Sequence, residues 1–395
     1  MSTRAVGAAE EIAQWLKARE DEMAETLARL VAIESPSGWT PGLERAALAV
    51  ADELSACGLR ARIHTAGTNA LVLARPGSSR RGAPWQLLLG HLDTVWPVGT
   101  LERMPVRVAD GRLYGPGAFD MKGGIVQLVY ALRALGAVGI SPAVEPVVLV
   151  TGDEEVGSRQ SRLVIERLAR LACRAFVLEP SYGVDGALKV ARKGVGRWEI
   201  RVRGRAAHAG IDPERGVSAI VEASNQIQLI DALNAPERGV TVNVGTVEGG
   251  LRPNVIAPEA VVVVEARAPR VEDAHAVDEA LHGLEPVMEG SEIDVSGGFG
   301  RPPMEQTPGS AGLFAQAQEA ARALGTSVEG AEVGGASDGN LIAGLLPLLD
   351  GLGAVGDGAH AEHEHVVVAE LPARAALLSL LMAAPPAPAE PAGSA

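Results

Sequence analysis

Apolar residues in the first half of the chain follow two rhythms. Between Ala9 and Ile33, the residues Ile12, Trp15, Leu16, Met23, Leu27, Leu30 and Val31 recur at helical intervals with charges between them, predicting one amphipathic helix. ERAALAVADELSACG and MKGGIVQLVYALRALG read as further helices, whereas NALVLARP, WQLLLG, EPVVLVTG and CRAFVLEP are short runs rich in Val and Leu that predict strands. Continuous apolar strands between helices imply a parallel or mixed sheet covered on both faces.

Near Lys193 the texture changes. RWEIRVRGRA alternates with period two, GVSAIVEASNQIQLIDAL is helical, TVNVGTV and NVIAPEAVVVVEAR predict strands, VEDAHAVDEALHGLEPVM is helical and SEIDVSG predicts a strand. This βαββαβ string fits a small α+β domain with helices on one face of an antiparallel sheet. Beyond GGFGRPP the α/β texture returns, with helices in GSAGLFAQAQEAARALG and ARAALLSLLMAA and a short strand near LPLLDG. The expected fold class is therefore an α/β domain made of two chain segments, residues 1–190 and 301–385, interrupted by a smaller α+β domain at 191–300. Residues 386–395, PAPAEPAGSA, form a Pro/Ala tail expected to be disordered.

Composition narrows the function. A net charge of −14 argues against nucleic-acid binding, which needs clustered Lys and Arg. The two cysteines, Cys57 and Cys173, lie far apart, so neither a disulfide framework nor a thiolate metal site is expected. The N-terminal stretch lacks a basic segment followed by an apolar one, and no apolar run reaches transmembrane length. The expectation is a soluble cytoplasmic protein without a membrane partner.

Several predicted strands end in a potential metal ligand. LLLG runs into His91, VVLVTG into Asp153, Glu154 and Glu155, and AFVLEP into Glu179. Asp120 enters from the Gly-rich GPGAFDMKGG, and His360 from GDGAHAEHEH. Ligands of open α/β sheets gather beyond the carboxyl ends of strands, so groups distant in sequence can converge there. Imidazoles and carboxylates without thiolate suit zinc, with cobalt or manganese as substitutes. Two histidines and three carboxylates can hold two ions if one carboxylate is shared; ions about 4 Å apart clamp both ends of a hydrolytic displacement. Of the adjacent Glu154 and Glu155, one can ligate while the other abstracts a proton. Asp93, two residues after His91 in an extended segment, can hold the non-ligating ring nitrogen.

The motifs GHLDTVWPVGT, RLYGPGAFDMKGG, TGDEEVGS, LEP, GRAAHAG, GGLRPNVIAP, ASDGN and GAHAEHEHV are spread over nearly the whole chain. In this order they closely resemble the dinuclear zinc exopeptidase family that includes glutamate carboxypeptidase, aminoacylase and succinyl-diaminopimelate desuccinylase. The wording of RLYGPGAFDMKGG with LEP is most similar to the glutamate carboxypeptidase branch.

That resemblance implies two zinc ions per subunit. His91, Asp120 and Glu179 would hold one and Asp120, Glu155 and His360 the other, with Glu154 as general base and Asp93 orienting His91. It implies a cis peptide bond between Asp120 and Met121, and a homodimer formed through the inserted domain, which also acts as a lid. His208 would reach the partner's active site as an oxyanion donor. Asn254 and Arg267 would contact the substrate's free carboxylate, for which a guanidinium fork is well shaped. Glutamate-selective members carry a lysine where this chain has Ala187; Lys189, two residues on, is the candidate replacement. The expected activity is hydrolysis of the amide linking a C-terminal amino acid, glutamate being a candidate, to a peptide or N-acyl group. An aminoacylase or deacylase of N-acyl amino acids shares all these groups, and a non-catalytic binder of amino-acid conjugates is the alternative from another class.

Overall fold

The computed structural model describes residues 3–78, 80 and 82–386, so the tail expected to be disordered lies outside them from residue 387 on. The chain divides into two compact units. One takes the chain up to Val190, Gln306–Glu332 and the chain from Ser337; the other takes Ala191–Glu305 with Val333–Ala336.

The first unit opens with helices α1 (Thr3–Lys17), α2 (Glu20–Val31) and α3 (Thr40–Ala56) and strands β1 (Leu59–Ala66), β2 (Asn69–Pro76) and β3 (Trp85–His91). Short strands β4 (Arg107–Ala109) and β5 (Arg112–Tyr114) lead to α4 (Gly123–Ala137), β6 (Glu145–Thr151), α5 (Arg162–Ala169), β7 (Ala172–Val177) and β8 (Leu188–Arg192). The second unit contains β9 (Gly194–Arg203), α6 (Ala219–Asp231), β10 (Thr241–Gly249), β11 (Glu259–Ala268), α7 (Val271–His282) and β12 (Glu292–Arg301). The chain then supplies α8 (Pro308–Ala323), β13 (Gly330–Val333), α9 (Asp338–Ile342), β14 (Leu348–Leu349), β15 (Gly356–Asp357), β16 (His365–Val367) and α10 (Leu371–Ala383).

The stretch expected as one helix from Ala9 to Ile33 is two. The break falls at Ala18–Arg19, where the Arg19 amide bonds the Leu16 carbonyl (2.9 Å) and the guanidinium lies 3.9 Å over the Trp15 ring. Ile12 and Leu16 before the break and Met23 and Leu27 after it enter the same core, so the apolar spacing runs on across it.

A mixed six-stranded sheet, in the order β1-β2-β6-β3-β7-β14, is the centre of the first unit. From β6 to β14 neighbouring strands are parallel, while β1 and β2 are antiparallel to their neighbours. Every residue of β6 is buried and β3 is buried from Gln86 onward, as expected when both faces are covered. The parallel strands β3, β6 and β7 therefore end side by side, at His91, Thr151 and Val177.

The second unit is an antiparallel sheet in the order β10-β11-β9-β12. Alternate residues of the central strands, Trp198, Ile200 and Val202 on β9 and Val262 and Val264 on β11, pack with Ala219, Ala223 and Ile230 of α6 and Val277 and Leu281 of α7. The period-two texture in the sequence is the record of one face covered by helices. Among the described residues no helix is long and apolar enough to cross a membrane.

Candidate metal centre

His91, the last residue of β3, is almost wholly buried. Its Nε2 lies 3.2 Å from Oδ1 of Asp120 and 3.5 Å from Oε1 of Glu179, which follows β7 by two residues. The other oxygen of Asp120, Oδ2, lies 3.4 Å from Nε2 of His360, and that nitrogen is 3.2 Å from Oε2 of Glu155. Two sets result, His91 with Asp120 and Glu179, and Asp120 with Glu155 and His360, each with its ligand atoms within 4.8 Å of one another. The peptide bond between Asp120 and Met121 is cis.

The donors fit metal ions. Ligands about 2.1 Å from one tetrahedral ion stand about 3.4 Å apart, and the His–carboxylate separations are 3.2–3.5 Å. Oε1 of Glu155 is buried without a hydrogen-bond partner, as a carboxylate aimed at a cation would be. His360 sits at φ 61°, a left-handed conformation uncommon outside glycine.

Electrostatics bind the set together. Hydrogen bonds to Asp120 and Glu155 push the His360 imidazole up to about 10. Burial opposes protonation of His91, but hydrogen bonds to Asp120, Asp93 and Glu179 prevail and hold it well above its ordinary value. Burial raises Glu155. For Asp120 burial acts upward too, yet bonds to His360 and His91, and the charge of buried Lys189, bring it far below the usual carboxylate range.

Asp93 has more work than the sequence suggests. Nδ1 of His91 is nearer the Asp93 backbone oxygen (3.0 Å) than its carboxylate (3.4 Å). The carboxylate also accepts the amides of Glu154 and Glu155, each at 3.1 Å, and the Ser37 hydroxyl at 2.7 Å. It thereby fixes the turn that presents the two glutamates. Asp153 points elsewhere, accepting Asn69 (2.9 Å), the Ser161 hydroxyl (2.5 Å) and the amides of Gln160 and Ser161 ahead of α5. Asp338 of the ASDGN motif also braces the turn, accepting the hydroxyls of Ser158 and Thr151.

The remaining candidates lie on the second unit. His208 and Asn254 are neighbours: His208 bridges Val255, and the Ala209 amide bonds the Asn254 carbonyl (3.1 Å). Both side chains are exposed. Nδ1 of His208 accepts the Gly210 amide at 3.2 Å, which places the ring proton on Nε2. Arg267, near the end of β11, donates to Glu265 (3.0 Å) and to the Gly334 carbonyl (2.9 Å). Glu364 was missed by sequence reasoning. Its carboxylate, 1% exposed, accepts Trp96 and the amides of Gly117, Phe119 and Asp120. The available signal was an acid at the threshold of the buried run HVVV, four residues after a ligand.

A mixed α/β sheet beyond whose strand ends two histidines and two glutamates gather around a shared aspartate defines a metal-dependent hydrolase. Comparison with known proteins makes the class specific: the model of peptidase family M20/M25/M40 matches residues 87–384, and the chain belongs to that family. It is an enzyme of the metallopeptidase and amidohydrolase kind. Carboxypeptidase G2 from Pseudomonas sp. (strain RS-16) is 30% identical over 360 residues, covering 88% of this chain and 86% of the relative. Succinyl-diaminopimelate desuccinylase from Acidovorax ebreus is 29% identical over 318 residues, 75% of this chain and 80% of the relative. Among solved structures, aminopeptidase PepT from Bacillus cereus shares the fold with a TM-score of 0.73 at 23% identity, covering 92% of this chain and 98% of that one. The YXEP protein of Bacillus subtilis, described as a dinuclear metal-binding peptidase, matches with a TM-score of 0.66 at 15% identity, covering 93% and 98%.

Proposed function

We propose that this chain is a two-zinc hydrolase that cleaves the amide joining a C-terminal amino acid to a peptide or N-acyl group. The observation that carries the reading is Asp120, with one oxygen turned to His91 and the other to His360, beside the glutamate turn pinned by Asp93. The nitrogen and oxygen donors suit zinc, with cobalt or manganese as substitutes. When bound, two divalent ions polarise the scissile carbonyl and lower the pKa of a water towards neutrality.

Glu154 takes the proton of the attacking water onto its carboxylate and hands it to the leaving amine nitrogen. Asp93 holds Glu154 for that transfer through its backbone amide. His208, with its ring proton on Nε2, donates to the oxygen that gains charge as the carbonyl is attacked. Asn254 and Arg267 bind the free carboxylate of the leaving amino acid. Arg267 exchanges the Glu265 carboxylate for that of the substrate, a small cost because an exposed ion pair contributes only about 0–1 kcal/mol.

The second unit also supports a homodimer. Its edge strand β10 and helix α6 expose Val247, Ile220, Val221 and Leu229, each 45–49% accessible, and an open edge flanked by apolar side chains is suited to pairing with a second copy. Within one copy, Asn254 precedes the start of β11 while Arg267 is at its far end, about 26 Å from Glu259 at the usual strand rise. One substrate carboxylate meets both residues only if they come from two chains.

Glutamate is the candidate leaving amino acid, with Lys189 as its partner. The burial of Lys189 favours a second reading, hydrolysis of N-acyl amino acids without selection for glutamate. The deciding experiment measures metal per chain and the release of amino acid from N-acyl-glutamate, N-acyl-alanine and N-acyl-phenylalanine, with the acyl group varied in parallel. Two metals and fastest release of glutamate support the carboxypeptidase reading. Rates that follow the acyl group and ignore the amino acid replace it with the deacylase. No metal and no turnover after reloading would remove both.

A further inference from the structure

Three loops carry or adjoin the ligands: His91 to Thr100, Gly115 to Lys122, and Asp357 to His365. All three meet on one side chain. Oε2 of Glu364 accepts the Trp96 indole N–H (2.8 Å) and the Gly117 amide (3.0 Å), while Oε1 accepts the amides of Phe119 (3.0 Å) and Asp120 (3.1 Å). The Glu364 backbone oxygen takes the Gly115 amide at 3.3 Å.

The amides converge because Gly117 is left-handed, at φ 73°, where a β-carbon would also collide with the methyl of Thr94. N–H groups turned inward from one tight turn, those of Phe119 and Asp120 in succession and that of Gly117 just before them, form a concavity for an anion. Here the anion is a side chain of the protein, four residues beyond His360. Four donors on two oxygens suit an ionised carboxylate and no neutral isostere, since the Gln amide would set its own N–H groups against two of them.

We propose that Glu364 is a positioning residue for the metal centre. By filling the concavity ahead of Asp120 it holds that aspartate between the two histidines, and through the short segment from His360 to Glu364 it ties the His360 loop to the same point. This rests on the two ligand sets being metal sites. Its specific consequence is that the Asp120–Glu155–His360 set, two of whose ligands hang from Glu364, depends on this carboxylate more than the His91 set does.

The test is a cobalt(II) titration of the full chain, followed by visible absorption and calorimetry, for the wild type, Glu364→Gln and Trp96→Phe. The wild type should bind two ions. Glu364→Gln should weaken one of the two binding steps by roughly tenfold to a hundredfold, the range found when groups supporting metal ligands are removed, and alter the absorption bands of that site. Trp96→Phe keeps an aromatic side chain, though a smaller one, and removes one donor of four, so it should remain close to wild type. If Glu364→Gln does not fold, Glu364→Asp, which keeps the charge but withdraws it by one methylene, should show the same selective loss.

Lower thermal stability with both cobalt steps and the spectrum unchanged would make Glu364 a purely structural residue and overturn the proposal. A uniform loss of both steps would overturn the assignment to one set. A wild type that binds no cobalt would remove the metal reading itself, and this inference with it.

Discussion

Asp93 is buried, and its two oxygens are committed to the amides of Glu154 and Glu155 and to the Ser37 hydroxyl. Asp93→Asn keeps the shape but presents an N–H pair where an acceptor stood. One backbone amide of the glutamate turn then faces a donor, at a cost of about 1–3 kcal/mol for an unsatisfied buried group. Denaturant unfolding of the metal-free chain should show that loss, and an unchanged midpoint would mean the turn is held without Asp93. Charge at the centre gives a second expectation. His91 and His360 are both raised above the ordinary histidine value of 6.5, His360 to about 10, so His360 carries its proton in the metal-free protein at pH 7. Groups raised on folding stabilise most below their unfolded pKa and lose that contribution as pH rises through the folded one. The metal-free chain should therefore lose stability between about pH 6.5 and 10, while metal affinity rises over the same window. Cation binding needs a neutral imidazole at His360, so loading at pH 7 should release at least about one proton. Calorimetry in buffers of different ionisation enthalpy measures that number directly, and release near zero would contradict it. At this scale His91, Glu155 and Glu179 were legible because apolar runs end beside them, and Asp120 and His360 because the Gly-rich GPGAFDMKGG and the His-rich GAHAEHEHV belong to the motifs that carry the resemblance. The clamp by Asp93 and the cradle of Glu364 were not, because a bond to a backbone amide 61 or 245 positions away leaves no spacing to read.

Among the elements, the longer runs carried their own identity: β3 and β6 through their Leu and Val runs, β7 through the apolar AFV at its end, and β9 and α6 through their periods. The strands β4, β5, β15 and β16 span two or three residues each, too few to show any period, although β16 delivers Glu364 to its place before His365. The exit of β7 illustrates packing that composition hides. A β-carbon at Gly124, in the first turn of α4, would overlap the Leu178 carbonyl oxygen, and one at Gly353 would sit 2.7 Å from the Glu179 oxygen. Helix α4 and the loop after β14 thus close on the peptide bearing Glu179 from two directions, at contact distances only glycine permits. Gly124→Ala should displace that peptide and cost about 1–3 kcal/mol, the usual range for overpacking. A thermal scan of the metal-free chain tests the packing, and zinc affinity tests the ligand. Stability lost with affinity retained would show that Glu179 keeps its place independently of α4.

For the whole molecule the question is whether one chain makes a complete site. Arg267 lies where β9 and β11 begin and end, Ala268 pairing with Gly194, whereas His208 and Asn254 lie at the opposite end of the same sheet. Ten residues of β9 separate the ends, about 30 Å at the usual rise. A dimer with two composite sites makes a strong demand on mixed variants. Glu154→Gln alone should retain its metal and lose at least about a hundredfold in kcat, as expected when a general base is removed. His208→Ala should lose activity through the second unit while leaving the metal centre intact. When the two inactive proteins are unfolded together and refolded with zinc, half the dimers pair one chain of each kind. If His208 serves the opposite chain, one of the two sites in such a dimer has both Glu154 and His208. Activity should then return to about a quarter of the wild-type level, the share set by random pairing in a symmetric dimer. If His208 serves its own chain, every site keeps a lesion and mixing restores nothing. Sedimentation of the same sample separates that outcome from loss of the dimer on refolding, because a protein sedimenting as a monomer has no partner to borrow from.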